Sequence, residues 1–360
     1  MSAEQNNAAE HYANKRAYAR SEIEQAGWLP TCSIDALKAR GEMLRKIRLF
    51  FAEQGVLEVE TPILSAAVAT DPYLDAIQCS VAGVQSRLWT DSRVFDAEHA
   101  QDPLFFMQTS PEFAMKRLLA AGSGPIYQIC KTFRNGERGR RHNPEFTMLE
   151  WYRPGFNDLN LMTEVEALVQ LALPHFSLPF ERITYRDAFR QYAGIDPFLA
   201  SVAELKSCIL SFTEMPGLSD DRDLLLDVIL SHKVEPRLGA ERPSFLHDYP
   251  ASQAALAQVT QVDGYDVAQR FELYIHGLEI ANGYHELLDA REQEQRLQAD
   301  NRARMTLDKP CRPIDYHLID ALSAGMPACA GVALGLDRLL MIALGAEEID
   351  AVLTFPVDRA

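Results

Sequence analysis

Residues 131–152 read KTFRNGERGRRHNPEFTMLEWY. The stretch opens on the end of one strand-like run, PIYQICKTF, and closes on a second, EFTMLEWY, with a turn-rich connection, NGERGRRHNP, between them. Aromatic and branched runs flanking a Gly/Asn/Pro connection predict a hairpin. Five Lys or Arg residues against a single acid give residues 131–141 a local charge of +4, in a chain of net charge −16. A basic connection of this kind suits a polyphosphate. A solvated loop is the alternative these residues alone leave open. Along EFTMLEWY the period of two puts Phe146, Met148, Glu150 and Tyr152 on one face. A ring, a carboxylate and a phenol sharing a face beside an arginine-rich loop make an unusual core. The other reading keeps Phe146 and Met148 in the core, with Glu150 paired to a structural arginine.

Upstream, Ala36, Leu37, Met43, Leu44, Ile47, Phe50 and Phe51 recur at helical spacing from Ser33 onward. Gly55 stops that helix, and VLEVETPIL reads as a strand running into a bend at Pro62. Ser110-Pro111-Glu112 reads as a helix start, with a hydroxyl cap, proline at the first helical position and an acid in the first turn; the helix ends at Gly122. Further helices are predicted at about 158–173, 222–231, 289–305 and 314–325, with 174–240 otherwise less regular. RFELYI and LEIANGYHEL form a second hairpin around His276-Gly277, and GVALGLDRLLMIAL is a Gly-punctuated strand entering a helix. Hairpin-linked strands with helices between groups predict an α+β fold, an antiparallel sheet flanked by helices. Residues 1–33 read as an N-terminal extension and 34–360 as one domain.

With a two-residue turn, Tyr274 lies opposite Glu279 and Glu272 opposite Ala281. Glu272 and Glu279 are then diagonal neighbours on one face, roughly 7–8 Å apart. Carboxylates at that separation repel unless a cation lies between them, and Mg2+ takes one or two carboxylates plus phosphate oxygens. A purely structural acidic hairpin stays open on these residues alone. Asn282, Tyr284 and Glu286 alternate onto a common face. Gly331 and Gly335 allow close backbone approach by a ligand, and Arg338 opens the helix that follows.

Several classes are excluded. Neither common glycine-rich nucleotide cradle is present. No run of about 18 apolar residues predicts a membrane helix, and the N-terminus has no apolar signal core. Six scattered cysteines show no zinc spacing, so the chain reads as reduced and cytoplasmic. Its negative charge disfavours extended nucleic-acid binding.

Together and in this order, the pieces resemble the catalytic core of class II aminoacyl-tRNA synthetases. EVETPIL resembles the first motif, a dimer-interface element; KTFRNGERGRRHNPEFTMLEWY resembles the second and GVALGLDRLLM the third. HNPEFT and FELYIHGLEIANGYHEL match the lysyl branch. Only about 33 residues precede the core, too few for the anticodon-binding OB domain of a bacterial lysyl-tRNA synthetase, and Ala333 stands where that enzyme usually has Gly. Both features, with TSPEFAMKR, EFTMLEWYRP, YPASQAALAQV and the terminal VDRA, are similar to a family of synthetase-like ligases. Those ligases activate β-lysine with ATP and transfer it to a lysine side chain of elongation factor P. The second motif usually reads Arg-Asn-Glu; here it is Arg134-Asn135-Gly136, with Glu137 next.

The resemblance implies that Arg134 and Arg338 are the catalytic cations, on the α-phosphate and the far end of a bent ATP. Phe146 stacks on adenine, and Asn135, Gly136, His142, Asn143, Glu279, Ile280 and Gly335 complete the ATP site. Glu272 and Glu279 carry Mg2+. Ser110, Pro111, Glu112, Glu150, Tyr152, Asn282, Glu286 and Ala333 form the pocket for (R)-β-lysine or lysine, because a dicationic amino acid calls for several carboxylates. Elongation factor P and a second copy of the chain, docked through Val56–Leu64, are the implied partners; stable tRNA binding and membranes are not expected. A truncated lysyl-tRNA synthetase-like enzyme acting on α-lysine and a catalytically impaired amino-acid-binding paralogue are the competing readings.

Overall fold

The structure, a computed structural model, describes residues 28–81, 104–215 and 217–360. Ser33 starts α1 (Ile34–Glu53) by accepting the Ala36 N–H at 3.1 Å, and the helix buries Met43, Ile47 and Phe51 along one stripe. Just before it, the Thr31 and Cys32 N–H groups bond the Thr354 and Leu353 carbonyls, so residues 31–32 pack against residues 353–354.

Among the described residues, nine strands form the main sheet in the order β1 (Leu57–Glu58), β5 (Ile126–Phe133), β6 (Glu145–Pro154), β12 (Cys329–Gly335), β11 (Leu278–His285), β10 (Tyr265–Ile275), β8 (Ser244–Pro250) and β7 (Glu181–Thr184), with β9 (Val259–Val262) on β10. A small sheet joins β2 (Leu64–Ser65), β4 (Leu104–Met107) and β3 (Gln78–Ser80). The expected antiparallel sheet needs one correction. Its centre is antiparallel, but β1 runs parallel to β5 and β7 parallel to β8, so the sheet is mixed. Each of those pairs is joined by a long crossover containing helix, which is what a parallel pair requires. VLEVETPIL is likewise not one strand: β1 takes two residues before the Pro62 bend, and β2 begins at Leu64.

The helices are α2 (Glu112–Ala120), α3 (Asp158–Ala172), α4 (Tyr185–Ala193), α5 (Val202–Leu210), α6 (Arg222–Ile229), α7 (Ala290–Thr306), α8 (Tyr316–Gly325) and α9 (Leu336–Leu344). Residues 174–240 are more regular than expected, holding β7, α4, α5 and α6. Helices of eight or nine residues are too short for periodicity to stand out. Their caps were nonetheless written in the chain, including a reciprocal Ser201–Glu204 capping box. At α2 the cap position falls on Pro111 rather than Ser110, whose hydroxyl accepts the Glu112 N–H at 3.0 Å.

One sheet face packs Leu149, Trp151 and Phe271 against α1, α3 and α9, with Phe51 stacked on Tyr127 at 4.4 Å. The opposite face stays open to a cavity, flanked by α2 and α8 around Met115, Leu119, Leu318 and Leu322. Among the described residues no helix is long and apolar enough to cross a membrane.

The cavity rim is held by Asp75. It accepts hydrogen bonds from Arg304 at 2.8 Å, Lys309 at 3.0 Å and Arg312 at 3.3 Å. Arg304 is fully buried and also donates to the Asp71, Leu74 and Pro310 carbonyls, clamping residues 71–75 onto α7. The Arg304 hydrogen bond, aided by Lys309, outweighs burial and holds the Asp75 carboxyl down at about 2. A depressed folded-state value stabilises the protein above the unfolded value of 3.8, and that stabilisation disappears as pH falls through about 2. Asp75→Asn should lower unfolding free energy at pH 7 by about 2 kcal/mol, less than a wholly buried pair would lose because Asp75 is partly exposed. In urea titrations the gap between the two proteins should close from pH 5 to pH 2; a gap that is negligible at pH 7 or constant with pH would contradict this.

Candidate active site

His276 and Gly277 both take positive φ, 52° and 68°, the twist that a two-residue hairpin needs. Tyr274 pairs with Glu279 as expected, but Glu272 pairs with Asn282 and not with Ala281. The register shifts between Leu273 and Tyr274, leaving Ile280 as an extra residue on β11, a bulge. In a regular ladder Glu279 and Asn282, three apart, would point to opposite faces. The bulge puts both on the face of Glu272, and Tyr284 with them.

The registers of β6, β12, β11 and β10 arrange this face in rows. Glu150, Ala333, Asn282 and Glu272 make one row, and Tyr152, Gly331, Tyr284 and Arg270 the next. From Phe146 to Tyr152 the face runs roughly 20 Å at ~3.4 Å per residue. All of these side chains border one cavity of about 710 Å3. Of the residues expected from sequence, Ser110, Glu112, Arg134, His142, Asn143, Phe146, Glu150, Tyr152, Glu272, Glu279, Ile280, Asn282, Glu286, Ala333, Gly335 and Arg338 line it, while Pro111, Asn135 and Gly136 do not. The Asn135 N–H is bound to the Asp75 carbonyl at 2.7 Å, and Gly136, at φ 81°, turns the chain so that Glu137 reaches the wall instead. Asn143 borders the cavity but uses its amide on the Glu145 carbonyl and the Val357 N–H.

At the Phe146 end, the Arg134 guanidinium lies 5.1 Å from the Phe146 ring centroid. Arg338 donates to the Glu279 carbonyl at 2.8 Å and to His142 Nε2 at 2.7 Å. Burial, then the Arg338 charge, pushes the His142 imidazole down, so it accepts as the neutral form. The basic island is less available than its composition suggested. Arg138 pairs with Asp350 and Asp358, Arg140 with Glu347 and Glu348, and Lys131 with Glu145. Only Arg134 and Arg141 of the five cations border the cavity.

Glu272 is buried and accepts from Tyr249 at 2.7 Å, Tyr274 at 2.5 Å, Arg270 at 2.5 Å and Asn282 at 3.3 Å. Burial, and then the charge of Glu272, pushes the Glu279 carboxyl up. No trio of His, Cys, Asp or Glu among the described residues could hold a metal. An all-oxygen set remains, because Asn282, whose Nδ2 donates to Glu272, has its Oδ1 buried without a hydrogen-bond partner. Two carboxylates and an amide oxygen fit a Mg2+ that draws its other ligands from phosphate.

The far end holds a buried ionic cluster. Lys116, 1% exposed, lies 2.6 Å from Glu112 and 2.5 Å from Glu286. Glu150 accepts from Ser110 at 2.9 Å and Tyr152 at 2.6 Å. Burial and the Glu112 charge push Glu150 up to about 8; burial, opposed by Lys116, leaves Glu286 at about 7. For Lys116, burial is outweighed by the two carboxylates, and the ammonium is held above its usual range. Sequence reasoning missed Lys116, Arg270 and Tyr249. The Glu112–Lys116 spacing of four was a legible helical pair, but nothing local marks it as buried. A Cβ on Gly331 would collide with the Tyr152 ring and Glu286 Oε1. Gly331→Ala should therefore cost roughly 1–3 kcal/mol of stability; an unchanged melting temperature would contradict this packing.

A family model of the tRNA synthetases class II (D, K and N) matches residues 32–359. Curated relatives include the elongation factor P–(R)-β-lysine ligases of Salmonella gallinarum and Salmonella arizonae, each 48% identical over 94% of this chain and 99% of the relative. The ligase of Salmonella paratyphi B is 47% identical over the same shares. With the model spanning the whole catalytic sheet and all three motif regions, the chain belongs to the class II tRNA synthetase family of the D, K and N type.

Proposed function

We propose that the protein activates (R)-β-lysine with ATP as an aminoacyl-adenylate and transfers it to a lysine side chain of elongation factor P. The observation that carries this reading is the far end of the cavity, where Glu112 and Glu286 flank one resident ammonium and the buried Glu150 feels the Glu112 charge. Fully ionised, Glu112, Glu150 and Glu286 with Lys116 sum to −2, the complement of an amino acid bearing two ammonium groups. The names of the relatives support the same substrate and acceptor.

In the first step the amino acid's carboxylate attacks the α-phosphorus in line, a P–O bond forms, and pyrophosphate leaves. No general acid is needed, and the barrier falls through positioning and charge stabilisation. Arg134 holds the attacking carboxylate and the α-phosphate, Phe146 stacks on adenine, and Arg338 meets the far phosphates. Mg2+ held at Glu272 and Glu279 would neutralise phosphate charge. In the second step an uncharged lysine amine of the acceptor attacks the adenylate carbonyl, an amide forms, and AMP departs. Ala333 sits in the Glu150–Asn282 row, where its methyl trims the space beside the substrate backbone.

A protein acceptor is favoured over tRNA by charge. Binding RNA needs many free cations, and Arg138 and Arg140 are already paired with acids near the C-terminus. Leu57, Ile63 and Leu64 are exposed apolar residues on the 56–64 segment, and they support docking of a second copy there. Mass spectrometry of elongation factor P after incubation with the protein, ATP and β-lysine should show the gain of one lysyl group, with negligible charging of tRNA-Lys. Arg134→Ala should slow adenylate formation by about 3–4 kcal/mol of barrier. Efficient tRNA charging without a mass gain, or near-wild-type activity of that variant, would overturn the proposal.

A further inference from the structure

Beyond the carboxylate cluster the cavity continues to the first turns of α7, where Gln293 borders it. Gln293 is 0% exposed, and neither Oε1 nor Nε2 meets a hydrogen-bond partner among the described residues. Buried side-chain amides in folded proteins are almost always hydrogen-bonded, so one that is not, on a cavity wall, calls for a ligand. One turn along α7, Leu297 and Arg296 border the same cavity; Leu297 is apolar, and Arg296 donates to the Ala255 and Ala257 carbonyls and to Glu292. Neither meets the Gln293 amide.

The sheet fixes which part of a ligand lies there. The rows run from Phe146 and Gly335 at the nucleotide end, through Glu150 and Asn282, to Tyr152 and Gly331. Glu286 follows on the same course, bridged to Ala257, and α7 begins four residues later. Gln293 therefore closes the end of the pocket farthest from the reacting carboxylate. We infer that Gln293 reads the distal ammonium of the bound diamino acid, its Oε1 accepting one of that group's protons. The inference rests on the diamino-acid reading proposed above and adds a specificity residue to it. A neutral amide suits the place. The carboxylate cluster already balances two positive charges, so what is lacking is a directional acceptor and not more charge. Because α-lysine and β-lysine share the distal ammonium, Gln293 distinguishes diamino acids from their monoamino analogues and not the two isomers from each other.

The test is ATP–pyrophosphate exchange by the wild type, Gln293→Met and Gln293→Glu, with the KM for ATP as a check on folding. Gln293→Met should raise the KM for both lysine isomers about ten- to a hundredfold, with a smaller change in kcat and an unchanged KM for ATP. Gln293→Glu retains an acceptor oxygen but adds a buried acid, so its lysine KM should fall between those of Gln293→Met and the wild type for both isomers. An unchanged lysine KM in Gln293→Met overturns the inference alone, as does an effect confined to one isomer. A wild type that exchanges with neither isomer overturns the diamino-acid reading, and this inference with it.

Discussion

Lys116 lies between Glu112 and Glu286, 2.6 and 2.5 Å from them, where almost no solvent reaches, with Glu150 of β6 buried close enough to feel the Glu112 charge. Three carboxylates brought together without water would repel and take up protons, and a lone buried ammonium would be equally costly. Each is tolerable because the other is present. That requirement sets the docking of α2, which carries both Glu112 and Lys116 one turn apart and must present them to the end of the sheet. It also sets residue 331, since any side chain there would displace the Tyr152 ring and Glu286.

The Phe146 end, proposed above for the nucleotide, answers a different demand. Arginines gathered for phosphate would repel one another, and the chain's acidic end disposes of the surplus by pairing Arg138 and Arg140 on the outside. Arg134 and Arg338 remain turned inward, the first over Phe146 and the second locked by His142 and the Glu279 carbonyl. Between the two ends, the bulge at Ile280 lets Glu279 and Asn282 face the same space. One irregular residue thus joins the Phe146 end of the cavity to the Lys116 end.

Much of this was legible in the chain. The period of two along EFTMLEWY correctly put Phe146, Met148, Glu150 and Tyr152 on one face, and His276-Gly277 correctly marked its turn. The bulge was not legible, because a ladder's register depends on how Leu273 and Tyr274 sit against β8 as well as β11. Nor was the parallel pairing of β1 and β7, which follows from crossovers between distant segments. Lys116 and Gln293 look like ordinary polar helix residues in sequence, and only tertiary burial gives them a role. Gly136, read as part of the ATP site, is a left-handed turn residue outside the cavity wall.

The central claim is that the pocket's negative charge is completed by the arrival of a dication. In the free protein Glu150 is held up at about 8 by burial and the nearby Glu112 charge, so near neutral pH it keeps its proton. A substrate ammonium beside it stabilises the ionised form, and the proton must leave. Calorimetric titration of lysine into the protein at pH 7, repeated in buffers of different ionisation enthalpy, counts that proton directly. With Glu286, at about 7, also partly protonated, the expected outcome is release of between one and two protons per lysine bound. Binding with no proton release, or with proton uptake, would contradict it.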